Sequence, residues 1–431
     1  MRRRLALILA VFVICTSAAL AQPSLKVDAL DLARQAISNG DYPLARAILD
    51  ALIGYNPQDV EVNFLLAELD ARQGKLDAAV DRLRKLLSRQ PELIRVRLDY
   101  ALALFRLHQD DSAEYNFRLA LASDLPDSVR ENVMRYLHAI RARRRYEVDA
   151  TASIAPDTNI NAATGQSEIT LFGLPLTLNE EAKKKSGVGA VASVFGEYRF
   201  PLTDQLRLRS NVNLWRADYP GGKFDDMIWR AEVGPQLLLR DWDVSVLGVF
   251  TERWFGNDPY DTGAGPRVEL AYHGLKRWRL VGDVEYLRLN YHTQTFLNGD
   301  YVSTNFSPAF YVTSTSYLRP VIGFFRQSTA DPTFSDVGYR MGFGYHQEFP
   351  YGVTIEGQPE LFLSYYDAPD ALFGTTRRDR TLRLVFSIYK RDWLIFGFDP
   401  VFSYIRTDNN SNQPLFSFHR NQFQLGFTKE F

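Results

Sequence analysis

Two short stretches carry residue types that hydrolytic enzymes use. Asp261-Thr262-Gly263 matches the tripeptide of the aspartic proteases, but that chemistry needs two carboxylates sharing a proton, and the sequence has no second copy. We expect this stretch to form a turn in an external loop. Ser417 and His419 are the residue types of an outer-membrane phospholipase, but the sequence around them does not resemble that family. The sequence therefore predicts no catalytic site.

Metal and cofactor chemistry finds equally little support. The six histidines are scattered, without a metal-binding spacing such as HExxH, and no glycine-rich loop could cradle a phosphate. Cys15 is the only cysteine and lies in the leader described below, so the mature chain has no disulfide and no cysteine metal site. Basic and acidic side chains number 50 and 51, so overall charge gives no argument for nucleic acid. We expect no metal, no cofactor and no nucleic-acid partner.

The first residues indicate export. Three arginines follow the initiating methionine, the apolar run Leu5–Cys15 comes next, and Ala19 and Ala21 supply the small-x-small pattern of a signal peptidase site. We predict a signal peptide over residues 1–21. Lipid attachment at Cys15 is disfavoured because Ile14 precedes it where a small residue is required. Past the leader, no stretch approaches the roughly 18 to 20 apolar residues of a spanning helix, so any membrane role requires a β-barrel.

A repeat of 34 residues follows the leader. The matching positions are Gly40, Tyr42, Ala45 and Pro57 in the first copy, Gly74, Ala79 and Pro91 in the second, and Ala113 in a third. In this third, degenerate copy His108 replaces the glycine. Period and small residues resemble the tetratricopeptide repeat, so we predict a helical solenoid over residues 22–145. Such repeats bind extended protein segments on a concave surface, although a spacer without a ligand stays open.

From Tyr146 onward the hydrophobic period changes from about 3.6 residues to 2. In Leu206–Leu214 one face is largely aliphatic and the other carries arginine and asparagine, which cannot face lipid. We count about 14 such segments, and tight connections alternate with long ones. The sequence predicts an antiparallel transmembrane β-barrel of about 14 strands over residues 146–431. Short turns of such barrels face the periplasm, which places the helical domain there. A soluble β-sandwich is disfavoured because so many polar residues would be interior.

The chain ends in a pattern typical of outer-membrane barrels. Phe431 is preceded at alternate positions by Phe427, Leu425 and Phe423. This alternation resembles the C-terminal signal that the barrel-assembly machinery reads. We therefore expect the assembly machinery and outer-membrane lipid as partners, and a monomeric protein.

Five prolines fall inside predicted strands, where each removes a ladder hydrogen bond. They are Pro235, Pro308, Pro320, Pro359 and Pro400. We expect them to mark bulges that set the curvature near the periplasmic rim.

The segment after the first predicted strand contains Pro156, Asp157, Asn159 and Asn161. With the repeats and the barrel, it resembles the surface lipoprotein assembly modulator (Slam) family, also called type XI secretion outer-membrane proteins. The resemblance implies export or display of a protein cargo, either a surface lipoprotein or a secreted protein, received by the repeats and passed by the barrel. The four side chains could hydrogen-bond in the lumen or pin the next loop; an Asx-type turn is equally open.

Two other functions share this layout. A tetratricopeptide-barrel porin that exports polysaccharide would have more repeats and a lumen with stacking aromatics and a charge bias. A diffusion porin with an appended scaffold would need no cargo.

Overall fold

The computed structural model describes residues 22–171, 174–393, 395 and 398–430. The predicted leader with Ala19 and Ala21, and the terminal Phe431, lie outside the described residues. Within the described part, seven α-helices precede a closed antiparallel barrel of fourteen strands, as predicted. None of these helices combines the length and apolar character needed to cross a membrane.

The helices form pairs along the chain. They are α1 (Gln22–Ser38), α2 (Tyr42–Tyr55), α3 (Val60–Arg72), α4 (Leu76–Arg89), α5 (Ile94–Arg106), α6 (Asp110–Leu121) and α7 (Asp127–Arg143). Ala45, Ala79 and Ala113 are fully buried, because the paired helices pack too closely for a larger side chain. We call α1–α7 the helical module.

The three turns that join the two helices of each pair adopt the same conformation. Gly40 and Gly74 have φ angles of +77° and +78°, and His108, which replaces the glycine in the third copy, has a φ of +60°. A side chain in this left-handed region is strained, so the degenerate repeat keeps the geometry of the other two at a cost.

The barrel wall follows the chain order. Its strands are β1 (Tyr146–Asp157), β4 (Gly187–Pro201), β5 (Leu206–Asp218), β6 (Asp226–Leu238), β7 (Trp242–Phe255), β8 (Asp258–Tyr272), β9 (Trp278–Tyr291), β10 (Gly299–Phe306) with β11 (Ala309–Thr313), β12 (Ser316–Thr329), β13 (Asp336–Phe349), β14 (Val353–Pro369), β15 (Thr376–Lys390), β16 (Asp399–Ser411) and β17 (Phe418–Glu430). β10 and β11 are two halves of one wall strand, both paired with β9 and β12. β17 pairs with β1 and closes the ring.

Side chains alternate across the wall. On β4 and β5, Val194 and Val212 are about half exposed on the outer face, at 47% and 52%. Glu197 and Asn211 are opposite each other on the inner face and are buried. The outer face is therefore apolar and the lumen polar, as the period of two predicts.

The connection after β1 contains a hairpin that the sequence did not predict, formed by β2 (Glu168–Leu171) and β3 (Leu174–Thr177). The turn expected at Asp261-Thr262-Gly263 is wrong, because these residues lie within β8. β7 and β8 are joined by only Gly256 and Asn257, with φ angles of +63° and +69°. Two left-handed residues make the tight hairpin turn that matches strand twist, so no loop is left for the tripeptide.

The bulges expected at the prolines are also wrong for four of the five. Pro308 lies in the break between β10 and β11, but the registers at Pro235, Pro320, Pro359 and Pro400 are continuous. Next to Pro235 the paired residues of β6 and β7 skip two positions and resume in the same register. The sheet can thus accommodate the missing N–H of a proline by leaving neighbouring residues unpaired, without the additional residue that a bulge would insert.

Candidate functional site

The helical module is docked on the end of the barrel that carries the short turns, which we call the short-turn end. On α6, the Tyr115 hydroxyl lies 2.7 Å from Glu348 Oε1 and 2.7 Å from His346 Nε2, and both barrel residues belong to β13. Leu119 of α6 packs against Tyr311 of β11 in a small buried apolar cluster. Burial of the Tyr115 hydroxyl raises its pKa well above the ordinary 10.0, so the phenol stays protonated and donates to Glu348.

An ion pair lies at the centre of this contact. The side chains of Arg97 on α5 and Glu348 are each 1% exposed, and Arg97 Nη2 lies 2.5 Å from Glu348 Oε2. Arg97 also donates to Asn116 Oδ1 at 2.8 Å, and Arg391 Nη1 donates to Glu348 Oε1 at 2.6 Å. A charge this deeply buried is tolerated only with a partner and further hydrogen bonds. The contact is therefore specific for these residues.

A second anchor lies at the end of α7. Arg141 donates to Asp243 Oδ1 at 2.8 Å and to three backbone carbonyls of the β6–β7 turn. In return Arg207, buried on β5, donates to the carbonyls of Arg141 and Ala142. A cation at the carboxyl end of a helix can donate hydrogen bonds to the last free carbonyls, and it interacts favourably with the negative end of the helix dipole.

His273 links α6 to Asp243, the acidic residue of the second anchor. Its Nε2 lies 2.9 Å from Asp243 Oδ2, and its Nδ1 lies 3.2 Å from Arg118 Nη2 of α6. Since arginine can only donate, Nδ1 must be the acceptor and the imidazole is neutral. Burial lowers the pKa of His273 below its usual 6.5, and the charges of Arg279 and Arg118 act in the same direction. Burial opposes ionisation of Glu114, but Arg118 and Arg279 lower its pKa to about 2.

The contacts extend around much of the ring. Residues of β5, β7, β11 and β13 and the turn after β8 all touch the module. In addition, the Gly352 N–H of the β13–β14 turn donates to the Ser88 carbonyl at 2.7 Å. The module therefore covers the mouth at the short-turn end.

Inside the wall, acidic and basic side chains form a continuous network. It runs through Arg199, Glu197, Arg209, Glu269, Arg267, Glu232, Arg230 and Glu285, with successive members in ion-pair contact. Glu197 and Glu232 are 1% and 2% exposed, and each contacts two arginines. The lumen is thus strongly polar but locally balanced in charge.

A cavity of about 540 Å³ lies beside this network. Arg230, Arg267 and Arg340 line it with Asp283 and Glu285, and Tyr301 and Phe325 add aromatic surface. Among the described residues, no group of three or more histidine, cysteine, aspartate or glutamate side chains is arranged to hold a metal ion.

At the opposite end, which we call the long-loop end, the predicted motif residues are close together. Asp157 is buried and accepts from Arg420 Nε at 2.8 Å, from the Tyr219 hydroxyl at 3.1 Å and from the Asn159 N–H at 2.8 Å. These bonds join β1 to β17 and to the residue after β5. Asp157 therefore fastens the seam where the barrel closes.

The two asparagines shape the loop that follows. Asn159 is fully buried, and its amide bonds the carbonyls of Ala163 and His419. Asn161 donates to the Lys183 carbonyl at 2.8 Å and accepts from the Lys185 N–H at 2.9 Å. Pro156, opposite Val188, precedes them in β1. Asx-type turns and loop pinning thus occur together here, and the pinned loop spans residues 158–186.

Other predicted residues are dispersed. Phe423, Leu425 and Phe427 face outward on β17 and are 41%, 67% and 41% exposed. Ser417 donates to the Ser411 carbonyl, whereas His419 Nδ1 contacts Asp408, so these two do not form a catalytic pair.

The sequence did not single out Arg97, Tyr115, Tyr219, Glu348 or Arg420. Their partners are distant in the chain, by 251 residues for Arg97 and Glu348. An arginine within an otherwise apolar helix face is the one signal that could have pointed to Arg97.

Comparison with known proteins gives consistent matches. Residues 146–431 match the family described as "Surface lipoprotein assembly modifier", and residues 36–92 match "Tetratricopeptide repeat". "Surface lipoprotein assembly modifier 1" of Neisseria meningitidis is 24% identical over 85% of this chain and 74% of its own length. A Moraxella catarrhalis protein named "Surface lipoprotein assembly modifier" is 24% identical over 85% and 72%. A crystal structure of a Pseudomonas aeruginosa FadL homologue aligns with a TM-score of 0.37 and 9% identity, over 74% of this chain and 93% of that one.

Proposed function

The chain belongs to the surface lipoprotein assembly modifier family, and from this premise we propose that it exports or displays a protein cargo at the outer membrane. Residues 1–21 would be removed, the helical module of residues 22–145 would receive the cargo in the periplasm, and the barrel of residues 146–431 would pass it. The cargo is a surface lipoprotein or a secreted protein.

The docked module is the observation that carries this proposal. Arg97 and Arg141 fix the helices to the rim through a buried and a partly buried ion pair, and the contacts extend around the short-turn end. Helix-pair repeats bind extended protein segments. A receptor for such segments is thus held at the mouth of the barrel, where a cargo has to arrive.

The lumen suits a polypeptide better than the alternatives. Paired charges such as Arg209 with Glu197 and Glu269 present donors and acceptors without a net charge bias, whereas a polysaccharide porin favours a biased lumen. A covered mouth does not suit a diffusion porin. We propose that the docked state is closed and that cargo engages the lumen when α6 moves away from β13.

The remaining predicted residues take roles within this scheme. Asp157, Asn159 and Asn161 hold the rim and its loop in the conformation that releases cargo at the long-loop end. The outward-facing Phe423, Leu425 and Phe427 form, with Phe431, the signal that the barrel-assembly machinery reads. The protein works as a monomer without a cofactor.

Co-expression with a candidate surface lipoprotein tests the proposal. Cells with the intact chain should expose the lipoprotein to added protease, and cells without the chain should keep it protected. A periplasmic protein with no export signal is the matched control for envelope leakage. If cargo exposure is the same with and without the chain, the proposal is wrong. Export of polysaccharide with no change in protein display would support the rival function.

A further inference from the structure

The outer face of the barrel carries arginines at strand ends as well as apolar residues. In the described strands, the outward-facing arginines are Arg216, Arg288, Arg326, Arg378, Arg380 and Arg406. Four of them have an aspartate partner, in the pairs Arg216–Asp218, Arg288–Asp300, Arg326–Asp367 and Arg406–Asp408. Arg378 and Arg380 are exposed, and neither guanidinium has an ion pair or hydrogen bond within the described part of the chain. These two differ from the rest.

Their height on the barrel is that of lipid headgroups. Below Arg380 on the same face of β15 come Leu382, Leu384, Phe386 and Ile388. Arg380 and Ile388 are eight residues apart, which is about 27 Å along an extended strand, or roughly 20 Å across the membrane at a tilt of about 40°. The apolar band of such barrels is about 25 Å tall. Both arginines therefore lie at its upper edge, where a charge costs little.

The neighbouring strands add no net positive charge at this level. On β16 and β17, Arg406 and His419 both contact Asp408, and Arg406 lies opposite Leu384, lower on the outer face than Arg380. We call Arg378 and Arg380 the outer basic patch. Both arginines remain uncompensated at the level where the membrane presents its headgroups.

We propose that the outer basic patch binds the phosphate of a phosphorylated lipid in the outer leaflet, of the lipid A type. Arginine holds its charge at any relevant pH and matches phosphate with two parallel hydrogen bonds. Side chains two apart on one strand face are separated by about 7 Å, so both guanidinium groups can reach one phosphate. The patch on β15 is separated by the single strand β16 from β17, which closes the barrel with β1, so the bound lipid lies close to the seam fastened by Asp157. This inference does not depend on the proposed cargo function.

The test uses the full chain in nanodiscs of zwitterionic phospholipid that contain a titrated fraction of bisphosphorylated lipid A. Native mass spectrometry counts the lipid A molecules that stay bound. Each basic residue near an anionic surface is worth about fivefold in affinity, so Arg378→Gln with Arg380→Gln should weaken binding about 30-fold. The matched control, Arg288→Gln with Arg326→Gln, removes two outward arginines that already have aspartate partners and should change binding less than threefold.

Two further arms identify the ligand. Dephosphorylated lipid A should lose binding to the intact chain to the same extent, and inorganic phosphate at millimolar concentration should not displace the lipid. Equal affinity of the double variant and the intact chain, equal binding of dephosphorylated lipid, or displacement by inorganic phosphate would each overturn the proposal. Heat-dependent mobility on gels verifies that the barrel is folded. If the double variant does not fold, the two single variants provide the readout, and each is expected to lose about fivefold in affinity for lipid A.

Discussion

Replacing Glu348 with glutamine removes the carboxylate that Arg97, Arg391 and Tyr115 share. Glutamine keeps the volume of the side chain and one oxygen acceptor, so steric effects are small. The variant leaves the guanidinium of Arg97 buried at 1% exposure without an opposite charge. We expect the helical module to undock more often from the short-turn end.

The structure sets the size of the effect. Removing one partner of a buried ion pair costs about 3 to 5 kcal/mol. The lower end applies, because Arg391 is 30% exposed and can be rehydrated, and because the glutamine oxygen still accepts one bond. A cost of about 3 kcal/mol shifts the docking equilibrium about 150-fold.

A backbone amide reports this equilibrium directly. The Gly352 N–H donates to the Ser88 carbonyl of α4 across the interface, so it exchanges with solvent when the module undocks. Hydrogen exchange of the segment around Gly352 should be about 150-fold faster in Glu348→Gln.

Glu360→Gln is the matched control. Glu360 is also 1% exposed and pairs with Arg340, but this pair lies within the barrel wall away from the module. Its removal should weaken the barrel and leave Gly352 exchange unchanged. The reasoning is refuted if Glu348→Gln folds normally and Gly352 exchanges as slowly as in the unchanged chain.

Three more predictions concern the rim, the interface and the repeats. Asp157→Asn should lower the free energy of unfolding by about 2 kcal/mol, because the charged hydrogen bond between buried Asp157 and Arg420 is lost; urea unfolding followed by gel mobility measures it, and an unchanged midpoint would contradict the role of Asp157 in fastening the seam. Since burial lowers the pKa of His273 below 6.5, the docked state favours neutral imidazole, so docking is fully stable above pH 6.5 and weakens as the pH falls below it. Spin-label distances between module and barrel at pH 7.5 and 5.5 should show this, and His273→Gln should abolish the difference. His108→Gly should stabilise the helical module by about 0.5 to 1 kcal/mol, as thermal unfolding would show, whereas Gly74→Ala should destabilise it.

Local periodicity was enough to predict much of the fold. The 34-residue spacing predicts the helix pairs because each repeat buries the same alanines, and the alternation predicts the wall strands because one face meets lipid and the other the lumen. Details that depend on turn chemistry were missed. Gly256-Asn257 makes a two-residue turn where a longer loop was expected, and Pro235 is accommodated by unformed pairs rather than by an added residue.

The candidate site was predicted less completely. Asp157, Asn159 and Asn161 were singled out through the resemblance to a known family, and the Asx-type turn was an expected role because it depends only on residues close in the chain. Arg97 and Glu348 could not be singled out, because their pairing follows from how two domains meet, and no local pattern encodes that placement.

Crosslinking from within the lumen tests the central claim that cargo passes from the helical module into the barrel. Ser303 lines the cavity, and the adjacent Val302 faces outward on the same strand. A photoreactive residue at position 303 should capture a surface lipoprotein arrested during export, and the same residue at position 302 should not. Capture at position 302 alone, or at neither position while the lipoprotein reaches the surface, would contradict the account.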